Sequence, residues 1–375
     1  MTELYIGLMS GTSLDAIDVV IVSIEPTTIS LIAYNEYPIP DKLRQQVLSI
    51  CTGQHTTLPE VGRIDHELGK LYAAAVNDIL DQAQLASSRI TAIGNHGQTV
   101  FHLPQSESPF TMQLGDANLI AAFTGIDTVA DFRRMDMALG GQGAPLAPAF
   151  HQFLFERLDS TTIVLNIGGV ANVSVLPGKA EAQRNVIGFD TGPGNLLMDS
   201  WCEKHTTKTY DKDAEWAKQG EPNTLLLNQL MSDPYLAKPP PKSTGRERYN
   251  LQWLQKQLPQ TICAQDVQRT LCEFTANSIA QQIHQYTDGP DNEVLVCGGG
   301  ANNPLLMQRL QHYLPEWKVL PTSDKGVPGD YLEAMAFAWF ARQRVHNQPS
   351  SLPSVTGAKR KASLGVLYPA VKEWS

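Results

Sequence analysis

Two stretches of this chain share one layout, and that repetition limits the fold more than any other feature. An apolar run, Leu4 to Met9, enters a turn of small residues, Ser10-Gly11-Thr12-Ser13, and a second apolar run, Val19 to Val22, leaves it. Much later, Thr161 to Asn166 enters Ile167-Gly168-Gly169-Val170-Ala171-Asn172 and returns as Val173 to Leu176. Each reads as strand, tight turn, returning strand. The repeat predicts two α/β domains of like topology, each offering a turn to a shared cleft. Gly11 lets the backbone come close to a ligand, and backbone N–H groups with the hydroxyls of Ser10, Thr12 and Ser13 can donate to phosphate oxygens. Asp15 and Asp18 could hold a metal ion, directly or through water. An ordinary Gly/Ser hairpin would read the same way.

The elements between the two turns alternate. A third strand is expected at Leu31 to Tyr37, and Asp41 can cap a helix to about Cys51. From Pro59 to Leu85 the apolar positions Val61, Ile64, Leu68, Leu71, Ala75 and Ile79 repeat at three and four, which predicts a helix. Ile90 to Gly94 is a short buried strand that opens into Asn95-His96-Gly97-Gln98-Thr99. A helix is expected at Gly115 to Phe123, a strand at Thr128 to Phe132, and a helix from Ala147 to Arg157, after the glycine-rich stretch Gly140 to Leu146.

Beyond the second turn, Gly188-Phe189-Asp190-Thr191-Gly192-Pro193-Gly194-Asn195 ends a strand and starts a helix, Leu196 to His205. Ala264 to Tyr286 is a long amphipathic helix. Glu293 to Val296 is a strand ending in Cys297-Gly298-Gly299-Gly300, and a last helix, Tyr331 to Val345, carries Glu333 near its start. The Ser- and Pro-containing stretch 348–355 reads as a linker, and the last dozen residues as a segment docking on the first domain.

Composition excludes several classes. A net charge of -9 argues against a nucleic-acid partner held by phosphate contacts. The five cysteines have no metal-ligand or redox spacing, which favours a reduced, cytoplasmic chain. There is neither a signal-peptide pattern nor an apolar run of the ~20 residues that a membrane span needs. GxxxxGK[ST], HExxH and GxSxG are absent, as is a GxGxxG opening a helix with an acidic residue after it.

Glycine turns at several strand ends of an α/β chain make a nucleotide cleft plausible. Within it Asp190 is the sharpest residue. An aspartate between strand and helix could act as general base, or could cap the helix that follows. Glu333 could serve the site or the helix dipole. His96 could contact a ligand or be a structural histidine. Arg133 and Arg134 could bind a carboxylate bidentately or form a surface pair. Asp211 and Asp213 read as a solvated loop.

Taken in order, Met9-Ser10-Gly11-Thr12-Ser13-Leu14-Asp15, Asn95-His96-Gly97-Gln98-Thr99, Asp131-Phe132-Arg133, Gly141 to Leu146, Asn166 to Gly169, Phe189 to Asn195, Tyr210-Asp211-Lys212-Asp213 and Cys297 to Gly300 resemble the anhydro-N-acetylmuramic acid kinase family over nearly the whole length. The resemblance implies a two-domain actin-like (ribonuclease H-like) ATPase fold with a nucleotide cleft between the domains. One lobe would comprise 1–130 plus 346–375, and the other 131–345.

The resemblance also implies a reaction: hydrolysis of the anhydro bridge of 1,6-anhydro-N-acetylmuramic acid and phosphorylation of its 6-oxygen, with ATP and Mg²⁺, in peptidoglycan recycling. Asp190 would be the general base, with Glu333 a second catalytic group. Gly11, Thr12, Ser13, Leu14, Asp15, Ala16, Ile17 and Asp18 would cradle phosphates, with Asp15 and Asp18 near the metal. Gly168, Gly169, Gly298, Gly299 and Gly300 would hold phosphate and adenosine. Thr99 and Arg133 would line the sugar side, Arg133 taking the lactyl carboxylate. A homodimer, no nucleic acid and no membrane complete the implied picture. The wider superfamily often places an aspartate just before the first glycine turn, where this chain has Ser10.

Overall fold

The computed structural model describes residues 2–11, 14–179 and 184–371. It divides into two compact units, Met1–Leu154 with Tyr331–Ser375, and Phe155–Asp330. The segments 131–154 and 331–345, assigned from the sequence to the second lobe, therefore belong to the first unit.

The first unit contains β1 (Glu3–Ser10), β2 (Ala16–Ile24), β3 (Ile29–Pro38), β4 (Ile90–Asn95), β5 (Gln98–Leu103), β6 (Phe110–Leu114) and β7 (Thr128–Ala130). The second contains β8 (Thr162–Ile167), β9 (Val170–Leu176), β10 (Ile187–Pro193), β11 (Glu293–Cys297) and β12 (Lys318–Pro321). The last strand, β13 (Val366–Tyr368), returns to the first unit and pairs antiparallel with β7.

The strand orders show why the two turns look alike. The sheet of the first unit runs β13-β7-β4-β1-β2-β3, and that of the second runs β10-β9-β8-β11-β12. In each, three strands form an antiparallel meander, and two later strands, β4 and β7 in the first and β11 and β12 in the second, add in parallel outward from the first of them. This is the ribonuclease H-like order, present twice. The parallel additions need long crossovers, which the intervening helices supply.

Each unit has its own core. In the first, Ile6, Leu8, Ile17, Val19 and Ile21 of the meander pack with Ile64, Leu68, Tyr72 and Ile79 of the helix Leu58–Gln82. That helix starts where Thr57 accepts the Glu60 N–H, with proline in its first turn. In the second, β8 and β9 pack with Val267, Leu271, Phe274 and Ile279 of the helix Ala264–Ile283.

The helix Leu332–Val345 lies on β1 and β4 at backbone contact distance. A Cβ on Gly7 would overlap the Ala334 carbonyl, and one on Gly94 would overlap that of Phe337. This close approach places residues 331–345 in the first unit. Residues 131–154 are held there too, because buried Asp136 accepts the Thr356 hydroxyl at 2.7 Å and the Gly143 N–H at 2.8 Å.

Two other expectations fail for local reasons. Residues 348–355 are not a linker: Ser350 and Ser351 are buried, and their hydroxyls accept the N–H groups of Leu364 and Ala362. The polar cluster Asn95–Thr99, expected to open into a loop, instead leads at Gln98 into the β5–β6 hairpin. The turn into it needs Gly97, whose φ is +72° with a Cβ position crowded by the Leu114 carbonyl oxygen at 2.8 Å.

Candidate active site

The first unit brings Arg133, His96 and Glu333 together. Arg133 follows β7, His96 follows β4, and Glu333 stands in the first turn of the helix that Gly7 and Gly94 admit. The Arg133 guanidinium donates from Nε and a terminal nitrogen to His96 Nε2, at 3.2 and 2.9 Å, and from the other terminal nitrogen to the Gly143 carbonyl at 2.8 Å. Donors remain on both terminal nitrogens.

Burial and the Arg133 charge hold the His96 imidazole well below its ordinary pKa, so it is neutral. Because Nε2 accepts, its proton resides on Nδ1. Burial lowers Arg133 to about 10, while the Glu333 carboxylate supports its charge. Water reaches Glu333, yet the protein around it is dense enough to raise its carboxyl, with Arg133 pulling the other way. A carboxyl that is accessible and still desolvated suits acid–base work.

Thr99, on β5, accepts the Gln113 amide at 3.1 Å. Gln113 also donates to Thr111, whose hydroxyl lies 3.1 Å from His102 Nδ1. Burial, and after it the Arg133 charge, lowers His102, so the hairpin network lies within reach of the Arg133 field. Arg134 takes no part. Its guanidinium pairs with both oxygens of Asp131.

The first turn has a different internal logic from the one expected. Ser10 is buried and committed: its Oγ lies 2.7 Å from the Tyr72 hydroxyl and donates to Gln98 Oε1 at 2.7 Å. It ties the turn to the Asn95–Thr99 segment and is not a phosphate donor. Thr12 and Ser13 lie outside the described residues. Gly11 has open space at its Cβ position among the described residues, so packing against them does not require its lack of a side chain. Leu14 closes the turn at φ 57°, with its side chain in the core. Ala16 and Ile17 begin β2; Ile17 is in the core, so only its backbone is available to a ligand, and Ala16 is half-buried. Asp15 is exposed and pairs through one carboxylate oxygen with Arg44 at 2.6 Å, which leaves its other oxygen toward solvent. Asp18 sits on β2, paired in register with Met9. Among the described residues, no three His, Cys, Asp or Glu side chains converge as a metal cluster.

In the second unit, three glycine turns meet. The carbonyls of Gly168 and Gly169 accept the N–H groups of Asn195 at 2.8 Å and Gly194 at 2.9 Å. A Cβ on Gly194 would overlap the Gly168 carbonyl, and one on Gly298 (φ +74°) would overlap the Asn166 side chain. Gly300 is packed as tightly on Ile167. Gly169 and Gly299 remain exposed on this junction.

Asp190 lies inside β10, opposite Asn172 and just before a register shift. It does not cap the next helix, whose N-cap is Asn195. Burial raises its carboxyl, the Thr244 N–H lowers it, and Glu247 raises it. Asp211 is structural as well: it accepts the N–H groups of Trp216 and Ala217.

Comparison with known proteins establishes the family. The sequence model of anhydro-N-acetylmuramic acid kinase matches residues 3–370. The chain belongs to the anhydro-N-acetylmuramic acid kinase family. It is 61% identical over 368 residues to the anhydro-N-acetylmuramic acid kinase of Vibrio vulnificus (strain YJ016), covering 98% of each chain. The enzyme of the same name from Pasteurella multocida (strain Pm70) is 54% identical, over 99% of this chain and 98% of the relative. Among solved structures, component A of the (R)-2-hydroxyglutaryl-CoA dehydratase of Acidaminococcus fermentans aligns with TM-score 0.48 at 13% identity, over 92% of this chain and 99% of that one.

Sequence reading missed Asp136 and Tyr72. Neither stands in a motif with a chemical meaning of its own. Asp136 orients the Gly143 carbonyl that receives Arg133, and Tyr72 anchors Ser10. An aspartate close before a glycine-rich loop was the one available signal for Asp136.

Proposed function

We propose that this kinase phosphorylates 1,6-anhydro-N-acetylmuramic acid with ATP and water, giving N-acetylmuramic acid 6-phosphate and ADP, with Asp190 as general base. The observation that carries the reading is family membership over nearly the full chain, with Asp190 on a strand rather than at a helix cap.

Asp190 takes a proton from water as the water oxygen bonds to the anomeric carbon. The bond from that carbon to the bridging 6-oxygen breaks, and its electron pair stays on oxygen. That oxygen attacks the γ-phosphorus, and the bond to the ADP oxygen breaks. Leaving group and nucleophile are one atom, so phosphoryl transfer needs alignment and charge neutralisation more than further activation.

Arg133, with donors left on both terminal nitrogens, receives the lactyl carboxylate, and Thr99 contributes a hydroxyl to the sugar. Glu333 is a second acid–base group. The backbone of Gly11 to Asp18 in the first unit, and Gly168, Gly169 and Gly298 to Gly300 in the second, bind phosphate and adenosine. The exposed Gly169 and Gly299 support this use.

Mg²⁺ held largely by phosphate oxygens and water needs only one or two carboxylates. Asp18 and the exposed Asp15, hard oxygen donors at the first turn, fit that ion, Asp15 with one oxygen on Arg44. Mg²⁺ would neutralise charge on the transferring phosphoryl group. No helix among the described residues is long and apolar enough to cross a membrane. The use of ATP supports a cytoplasmic enzyme.

Purified protein with ATP and Mg²⁺ should convert the anhydro sugar to its 6-phosphate and leave N-acetylmuramic acid, which has no bridge, a poor substrate. Equal phosphorylation of both would make it a general sugar kinase. Release of unphosphorylated open sugar without ATP would make it a glycosidase.

A further inference from the structure

Asp190 is held at three points by one segment of its own unit. Its N–H donates to the Lys242 carbonyl at 3.1 Å, its carbonyl accepts the Tyr235 hydroxyl at 2.8 Å, and its Oδ2 accepts the Thr244 N–H at 3.0 Å. Oδ1 has no hydrogen-bond partner among the described residues. The two oxygens of this carboxylate are therefore not equivalent.

The segment is pinned from within by Lys242. Its Nζ donates to Gln282 Oε1 at 3.1 Å and to the carbonyls of Leu236 and Tyr235 at 3.3 and 3.4 Å, and it lies 4.8 Å from the centre of the Tyr235 ring. Buried Gln282 donates in turn to the Leu236 carbonyl at 2.9 Å. All three acceptors of Lys242 are neutral. An ammonium with its three donors placed on neutral oxygens fixes geometry and answers no particular counter-charge.

Glu247 follows on the same loop and is exposed. Its carboxylate folds back over Gly245, where a Cβ would overlap Oε2. The ionisable groups acting on Asp190 are Glu247 and Tyr235; Lys242 lies over the Tyr235 ring with Lys238 near it, and Arg248 lies by the same ring in a pair with Asp233. Strand β9 meets Asp190 through Asn172, and the helix Ala264–Ile283 meets this region through Ser278 and Gln282, all uncharged.

We propose that residues 235–247 form a clamp that reserves Asp190 Oδ1 for the proton of the attacking water, with Lys242 and Tyr235 as its positioning residues and Glu247 as the charge set against the base. The proposal rests on the assignment of Asp190 as base. It adds a direction: the clamp and Glu247 act on that base with opposite sign. A hydrogen bond from Thr244 favours the carboxylate, and a neighbouring negative charge opposes it.

The test is the pH profile of kcat/KM for wild type, Glu247→Gln, Gly245→Ala, Tyr235→Phe and Lys242→Met. Removing the Glu247 charge, or displacing it with a methyl group at 245, should move the acid limb to lower pH. Loosening the clamp should move it to higher pH and lower kcat more than it raises KM. Shifts of a few tenths of a pH unit to about one are expected from a single neighbouring charge or hydrogen bond.

Glu247→Gln is a surface change and Tyr235→Phe removes one oxygen, so these two decide the matter if Lys242→Met does not fold. Asp190→Asn separates the two claims. If it opens the ring at the wild-type rate, the base assignment fails. If it is inactive while the acid limbs of Glu247→Gln and Tyr235→Phe match wild type, or move in the same direction, the clamp is wrong and the base stands.

Discussion

Replacing Arg133 with lysine keeps the charge and removes the fork. In the structure the guanidinium does two things at once: three of its N–H groups hold His96 Nε2 and the Gly143 carbonyl, and the rest are left for ligand. Lysine cannot do both. The scaffold part of the loss falls on every substrate alike. The carboxylate part falls only on a substrate that carries the lactyl group. A hydrogen bond to a charged group contributes about 1.5–3 kcal/mol, which corresponds to roughly 10- to 150-fold in kcat/KM. The assay is steady-state kinetics of wild type and Arg133→Lys on two sugars, 1,6-anhydro-N-acetylmuramic acid and 1,6-anhydro-N-acetylglucosamine, which lacks the lactyl ether. The ratio of the two penalties isolates the carboxylate contact. A ratio near one would refute the role given to Arg133, whatever the absolute loss.

Other outcomes follow from single contacts. Gly7→Ala would drive a methyl group into the Ala334 carbonyl and should lower stability by about 1–3 kcal/mol, read as a fall in Tm; an unchanged Tm would contradict the packing of the last long helix on β1. Ser10→Ala removes the partner of Tyr72 and Gln98 and should cost about 1–3 kcal/mol of stability. Its KM for ATP should rise no more than that of a change elsewhere in the core, and a loss confined to ATP affinity would restore Ser10 as a phosphate ligand. Burial raises the carboxyls of Asp190 and Glu333, so the acid limb of kcat/KM should lie above the ordinary carboxylate range. The base works only when ionised, so activity is present above its pKa and is lost as pH falls through it. A limb at the ordinary aspartate value would contradict this.

Much of the fold was legible because strand period and turn chemistry coincide. The two strand–turn–strand units appear as β1–β2 and β8–β9, and the helix of Asp41–Cys51 has the expected bounds. Asp41, however, opens that helix rather than capping it; Pro40 holds the N-cap position. The domain boundary was not legible because it depends on long-range contacts. Gly7 and Gly94 bring the helix Leu332–Val345 onto the first sheet, and nothing near residue 331 signals this. The β5–β6 hairpin was hidden because Phe101, Leu103, Phe110 and Met112 remain exposed while polar Gln98 and Thr111 are buried, so hydrophobicity does not follow its two faces.

In the site, residues with distinctive chemistry were found and their helpers were not. Arg133 and Glu333 fall in one unit within each other's field, as a substrate-side pair requires. Ser10 and Asp15 stand in the motif but are engaged by Tyr72, Gln98 and Arg44, partners far away in sequence. A motif records which residues recur, whereas the burial and pairing that assign each its task come from the folded chain.

The most direct test of the coupled mechanism is the fate of solvent oxygen. With ATP in ¹⁸O-labelled water, the wild-type product should carry one label at the anomeric hydroxyl and none in its phosphate ester, and Asp190→Asn should form neither open sugar nor phosphate ester. Label in the ester oxygen, or an unlabelled anomeric hydroxyl in product analysed before exchange, would contradict ring opening by water with retention of the 6-oxygen.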